Sequence, residues 1–115
     1  MQTIPFPTIS VEELRNRLSN GDDNLQLLDV REPQEIAIAK IEGFTNYPLS
    51  EFSEWSEIIS AQLDLEVETL VLCHHGIRSA QMCNWLTAQG FTNVKNISGG
   101  IDAYSKKVDS SVPLY

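Results

Sequence analysis

The chain has 115 residues, 42% of them hydrophobic and 21% charged, with a formal net charge of −8 at pH 7. That describes one ordinary globular domain, able to bury its own core without staples. The acidic balance argues against non-specific binding to nucleic acid or anionic membranes, which needs basic patches, and no apolar run is long enough to span a bilayer.

The first residues, Met1 to Pro7, lack the charged and apolar regions of a signal peptide, so a cytoplasmic location is expected. Ser10 with Glu13 reads as a capping box. It opens a helix that keeps Val11, Leu14 and Leu18 on one face and stops at Asn20-Gly21. Residues 25–30 predict a mostly buried strand, and Pro33 suits the first turn of a short helix running to about Ala39. A short strand fits within residues 43–48. Residues 52–63 predict a helix with Phe52, Trp55, Ile58 and Ile59 inward. A strand over 69–72 leads into a short loop, a helix over 80–89 and a stop at Gly90. Residues 93–97 make a last strand, Gly99-Gly100 a turn, and 101–106 a closing helix. No internal repeat, low-complexity tract or linker interrupts this order, so residues 1–115 are expected to form a single domain. Strands separated by helices imply parallel pairing and an α/β layered fold. Ligands of such sheets sit beyond the carboxyl ends of the strands.

The segment Cys73-His74-His75-Gly76-Ile77-Arg78-Ser79 occupies such an end. A thiol after a strand, a loop with a glycine, and a helix carrying an arginine at its start make an anion cradle. Helix N-termini offer unpaired N–H groups and a positive dipole end, a field that favours thiolate over thiol. Arg78 adds a permanent charge and a forked donor able to grip an oxyanion. Cys73 therefore reads as a reactive cysteine, and its placement sets it apart from Cys83. The latter sits a full turn into the following helix and reads as core. With two cysteines and no CxxC pairing, neither a disulfide framework nor a zinc site is indicated. Adjacent His74 and His75 cannot easily aim both rings at one ion, and no carboxylate is near them in sequence, so no metal is expected. Their backbone shapes the cradle while the rings line its rim. Protonation of either ring would add positive charge, so a pH-dependent rate is expected. Asp29, Arg31 and Glu35 read as structural support, with Arg31 reaching Glu35 across a helical turn. Trp55 and Trp85 read as packing residues.

Four segments in order resemble the rhodanese, or thiosulfate sulfurtransferase, family in its single-domain form. They are Leu27-Leu28-Asp29-Val30-Arg31-Glu32-Pro33-Gln34-Glu35, the loop from Cys73 to Ser79, Gly90-Phe91-Thr92-Asn93-Val94, and Ser98-Gly99-Gly100-Ile101. With the helix at Val11 they cover nearly the whole chain. The chain departs from the family pattern at Lys40, where a histidine is familiar, and at Tyr104, where tryptophan is common. The resemblance implies a five-stranded parallel sheet flanked by helices on both faces. It implies that Cys73 takes a sulfane sulfur from a donor such as thiosulfate, holds it as a persulfide, and passes it to a thiol or cyanide-like acceptor or to a sulfur-accepting protein. It makes Arg78 the contact for the donor's oxyanion and Ser79 a hydrogen-bond partner at the helix start. No cofactor beyond the covalent persulfide is implied. Cysteine phosphatases and arsenate reductases use a similar cradle, but their loops are longer than the four residues between Cys73 and Arg78. A shorter loop fits one sulfur better than a whole tetrahedral oxyanion. Rhodanese-like binding modules usually lose the cysteine, which this chain keeps. A carrier delivering sulfur to a partner protein is a further alternative.

Overall fold

The computed structural model describes residues 7–22 and 24–115. Residues 1–6, which carry most of the reading against a signal peptide, lie outside the described residues. The elements are β1 (Thr8–Ile9), α1 (Val11–Ser19), β2 (Gln26–Asp29), α2 (Pro33–Ile38), β3 (Thr45–Asn46) and a 3₁₀ turn (Leu49–Glu51). They continue with α3 (Phe52–Trp55), α4 (Ile59–Gln62), β4 (Thr69–Leu72), α5 (Ile77–Ala88), β5 (Val94–Ile97) and α6 (Gly100–Lys107). The five strands form one sheet in the order β1-β5-β4-β2-β3, and every pairing is parallel. The expected α/β architecture is thus the one observed. Among the described residues, no helix is long and apolar enough to cross a membrane.

Central β4 is buried along its whole length, as befits a parallel strand covered on both faces. Its side chains alternate between two cores. Leu70 and Leu72 join Val11, Leu14, Ile101 and Tyr104 on the face covered by α1 and α6. Val71 and Cys73 join Trp55, Ile59, Met82, Cys83 and Leu86 on the face covered by α3, α4 and α5. The period of two continues past the strand's end, so Cys73 faces α5. Tyr104 is a core residue, whereas Lys40 lies on the surface beside Glu42.

Several boundaries differ from those read in the sequence. Strand β1 is only two residues long, too short for any periodicity to reveal. The helix expected over 52–63 is broken after Trp55. Trp55 is anchored by its Nε1, which donates to the Pro48 carbonyl at 2.8 Å, and by edge-to-face contacts with Tyr47, Phe52 and Trp85. A second short piece then places Ile59 in the core. Trp55 and Ile59 are buried, but Phe52 and Ile58 are 38% and 48% exposed rather than inward. Helix α5 starts at Ile77, three residues before Ala80, because left-handed Gly76 (φ +96°) serves as its cap.

Away from the loop after β4, Glu68 ties α1 to β5. Its carboxylate accepts from Arg17 at 2.6 and 3.2 Å and is also paired with Lys95. The Arg17 guanidinium holds the Glu68 carboxyl down at about 2, against about 4.3 in an unfolded chain. The pairing therefore stabilises fully above pH of about 5 and is lost as pH falls toward 2. Glu68→Gln is expected to lower Tm by about 4 °C near neutrality. In melts recorded across pH, that difference should close as the pH falls through the window between the two values.

Candidate active site

The loop after β4 curls back on its own cysteine. Cys73 is 1% exposed, and the Gly76 N–H donates to its Sγ at 3.0 Å. Gly76 can present that N–H because its backbone is left-handed, a conformation glycine adopts without a Cβ penalty. Ser79, in the first turn of α5 and wholly buried, places its Oγ 3.1 Å from Sγ. The same hydroxyl donates to Asn96 Oδ1 at 2.5 Å, and Asn96 Nδ2 donates to the Gly76 carbonyl at 3.0 Å. Asn96 thus holds both groups that touch the sulfur. Ser79 has one proton, so while it donates to Asn96 it can accept from a thiol. A thiolate or persulfide draws that proton by rotation of the hydroxyl.

A second helix completes the loop. The Cys73 and His74 carbonyls accept from the N–H groups of Ile101 and Asp102 at 3.0 Å each. This close approach depends on Gly100, φ +63°, where a Cβ would lie 2.5 Å from both carbonyl oxygens.

Arg78 points away from a simple oxyanion grip. Its Nη1 and Nη2 donate to the two oxygens of Glu35 at 2.8 Å each, so α5 is clamped to α2. Glu35 also accepts from the Glu32 N–H at 2.9 Å and from the Tyr115 hydroxyl at 3.0 Å. The Arg78 guanidinium, followed by these other contacts, holds its carboxyl down at about 2 against the penalty of burial. This corrects the expected Arg31–Glu35 ion pair. Arg31 is wholly buried and forks onto Asp29 at 2.8 to 3.2 Å. It meets Glu35 only through the backbone carbonyl, at 3.4 Å. Its remaining arm donates to Tyr115 Oη at 2.8 Å. Asp29 and Arg31 form a buried, matched pair at the end of β2. Glu35 belongs to the rim of the cysteine loop.

The histidines take different roles. The His74 ring stacks on Tyr115 at 3.8 Å with planes 6° apart and on His75 at 3.9 Å with planes 29° apart. Burial, then the neighbouring His75, pushes the His74 imidazole below its usual range, so its protonation lags behind the neutral-pH titration expected from the sequence. Its Nε2 is buried without a partner. The His75 side chain is 57% exposed, and its Nδ1 lies 3.9 Å from Asp102. A carboxylate therefore does stand beside the histidine pair, contrary to expectation, brought from α6 by the fold. His74, His75 and Asp102 offer ligand atoms within 4.8 Å of one another. The two rings are stacked, however, so their in-plane lone pairs run side by side instead of converging on one ion. Ile77 stands 71% exposed at the rim. Cys83 faces the core from α5, and burial pushes its thiol up to about 12, leaving it protonated and unreactive.

Three residues of this site were not singled out from the sequence: Asn96, Tyr115 and Asp102. Asn96 alone carried a signal, a polar residue at an inward position of a buried strand. It shares the Val94 face and stands opposite Val71 in register.

The fold and the loop together define a class: a parallel α/β domain with a buried cysteine at a strand's carboxyl end, wrapped by two helix starts. The family model described as Rhodanese-like domain matches residues 10–107, and the chain belongs to that family. It is 50% identical over 113 residues to the Rhodanese-like/PpiC domain-containing protein 12, chloroplastic, of Arabidopsis thaliana, covering 96% of this chain and 38% of that protein. It is 34% identical over 110 residues to the Adenylyltransferase and sulfurtransferase MOCS3-1 of Zea mays, covering 93% of this chain and 23% of that one. The chain thus spans well under half the length of these relatives. Among solved structures, the human single-domain sulfurtransferase TSTD1 superposes with a TM-score of 0.73 at 29% identity, over 90% of this chain and 98% of that chain. The chain is therefore related to sulfurtransferases.

Two substitutions probe the cradle. Gly100→Ala is expected to destabilise the fold by about 2 kcal/mol or more, because backbone must move, and to slow alkylation of Cys73. Asn96→Leu should change the rate of Cys73 alkylation by freeing the Ser79 hydroxyl proton for the sulfur. An unchanged alkylation rate in a folded Asn96→Leu protein would reduce Asn96 to packing.

Proposed function

We propose that this domain is a sulfurtransferase whose Cys73 takes a sulfane sulfur from thiosulfate or a similar donor. It holds the sulfur as a persulfide and passes it to a thiophilic acceptor. The observation that carries this reading is the pair of polar contacts on one sulfur, the Gly76 N–H at 3.0 Å and Ser79 Oγ at 3.1 Å, at the start of α5.

In the first half-reaction the Cys73 thiolate attacks the donor's sulfane sulfur, the donor's bond to that sulfur breaks, and the leaving group departs with the electron pair. The new terminal sulfur carries negative charge beside the first N–H groups of α5 and within reach of the Ser79 hydroxyl, a preorganised setting for an anion. In the second, the acceptor nucleophile attacks the terminal sulfur and Cys73 leaves as thiolate. The sulfur atom changes carrier and no external oxidant is consumed. The α6 N–H groups hold the loop's carbonyls, so the Cys73 backbone stays fixed through both steps.

The geometry favours sulfur over phosphate or arsenate. Sγ already occupies the Gly76 N–H, Cys73 is nearly inaccessible, and the Arg78 fork is filled by Glu35. A sulfane donor, thiosulfate included, need bring only its terminal sulfur to Sγ and can leave its remaining atoms at the mouth, whereas phosphate or arsenate would have to place its oxygens on the groups that are already occupied. A protein acceptor would make the same persulfide a carrier intermediate without changing the chemistry at Cys73.

Intact mass spectrometry before and after exposure to a sulfane donor tests the reading. A gain of one sulfur atom is expected, removable by cyanide or a thiol and absent in Cys73→Ser. No gain from any sulfane donor would overturn it.

A further inference from the structure

Charge around and beneath the cysteine loop is cancelled pair by pair. Arg78 is matched by Glu35 at 2.8 Å, Arg31 by Asp29 at 2.8 Å, and Lys106 by Asp102 at 3.0 Å. Glu32 adds a further carboxylate that accepts from the Ser50 N–H at 3.3 Å. Burial disfavours the charged form of His74. Among the described residues around the loop, Arg78, Arg31 and Lys106 each face a carboxylate, and the chain as a whole carries −8. What the rim offers instead is apolar and aromatic. Ile77 is 71% exposed, and the His75, His74 and Tyr115 rings form a continuous stack.

We propose that this site selects its sulfur donor by charge and takes an alkyl persulfide, R–S–SH, in preference to the thiosulfate dianion. Glu35 is the residue that sets this choice, because it neutralises Arg78. The inference rests on the reading of Cys73 as a persulfide carrier and narrows its donor. Thiosulfate brings two negative charges to a thiolate and leaves as sulfite, also doubly charged. That repulsion needs an unpaired cation to offset it. An alkyl persulfide brings at most one charge and an apolar body suited to Ile77 and the ring stack. Its step is balanced without a co-reactant. The Cys73 thiolate attacks the terminal sulfur and the donor's S–S bond breaks. The electron pair leaves on R–S⁻, which takes a proton from water, and Cys73–S–SH forms.

The test compares the rate of sulfur gain on Cys73 from 2-hydroxyethyl persulfide and from thiosulfate, read by intact mass. The wild type should react at least about tenfold faster with the persulfide. Glu35→Gln, which leaves Arg78 unpaired, should raise the thiosulfate rate by about tenfold and change the persulfide rate far less. Should Glu35→Gln fail to fold, Ile77→Lys supplies an unpaired cation at an exposed position. It should move the thiosulfate rate in the same direction, with a stronger dependence on salt. A persulfidated cysteine peptide, run in parallel, separates the two sources of this chemistry. If it is faster than the small persulfide, the natural donor is carried on a polypeptide; if equal or slower, the donor is a free thiol persulfide. Thiosulfate matching the persulfide in the wild type, or unmoved in folded variants, overturns the donor preference alone. Sulfur gain from neither donor overturns the parent reading with it.

Discussion

Gly100 lies so close to the Cys73 and His74 carbonyls that a Cβ would fall 2.5 Å from each oxygen. That approach lets the first N–H groups of α6 cap the very residues that carry the thiol. On the other side, left-handed Gly76 turns its N–H onto Sγ and begins α5. The cysteine is thus held between two helix starts, each contributing donors to a different part of the same loop. Backbone groups lose no side-chain entropy when they act, so a cradle built from them is fixed in advance of any ligand. The remaining contacts of the site are arranged around this one close approach.

Parallel topology explains why so many separate segments meet there. Strands β2, β4 and β5 are neighbours, so the loops that follow them open at the same edge of the sheet. Glu35 comes from the loop and helix after β2, Arg78 from those after β4, and Asp102 from those after β5. The Arg78–Glu35 fork fastens two of these loops, and the Tyr115 hydroxyl extends the network to the Asp29–Arg31 pair. Arg31 is wholly buried, and its charge is tolerable only because Asp29 answers it with a matched fork. A rigid frame of paired charges therefore surrounds a sulfur whose own immediate contacts are an N–H, a hydroxyl and apolar neighbours.

The same contacts give residues of one type different surroundings. Cys73 and Cys83 both belong to the core on the α5 face. Only Cys73 has a backbone donor on its sulfur, while Cys83 is pushed up to about 12 by burial. Arg31 and Arg78 are both forked onto carboxylates. The first is sealed inside, whereas the second stands partly open at the mouth.

Local pattern was enough to show the alternation of strands and helices, the capped α1, the placement of Cys73 at a strand's end and the loop that follows it. Each of these depends on residues adjacent in sequence: an apolar run, a capping serine, a glycine after a thiol. The break in the helix after Trp55 was not legible, because an indole bonded to the Pro48 carbonyl and packed against Phe52 and Trp85 decides it. The two-residue β1 was invisible for want of length. The partners of the charged groups were the main thing the sequence left open. Arg31 and Glu35, four apart on a turn, offered a plausible pair, but Asp29 sits closer to Arg31 at the strand's end and Arg78 reaches Glu35 from another loop. Asn96 and Asp102 likewise enter the site only through the neighbouring of β4 and β5. The chain's local order determined which cysteine stands at a strand's carboxyl end before a helix start, and on what kind of fold. Tertiary structure alone decided how the charges around that cysteine are paired, because ion pairing depends on distances that the sheet sets between loops far apart in sequence.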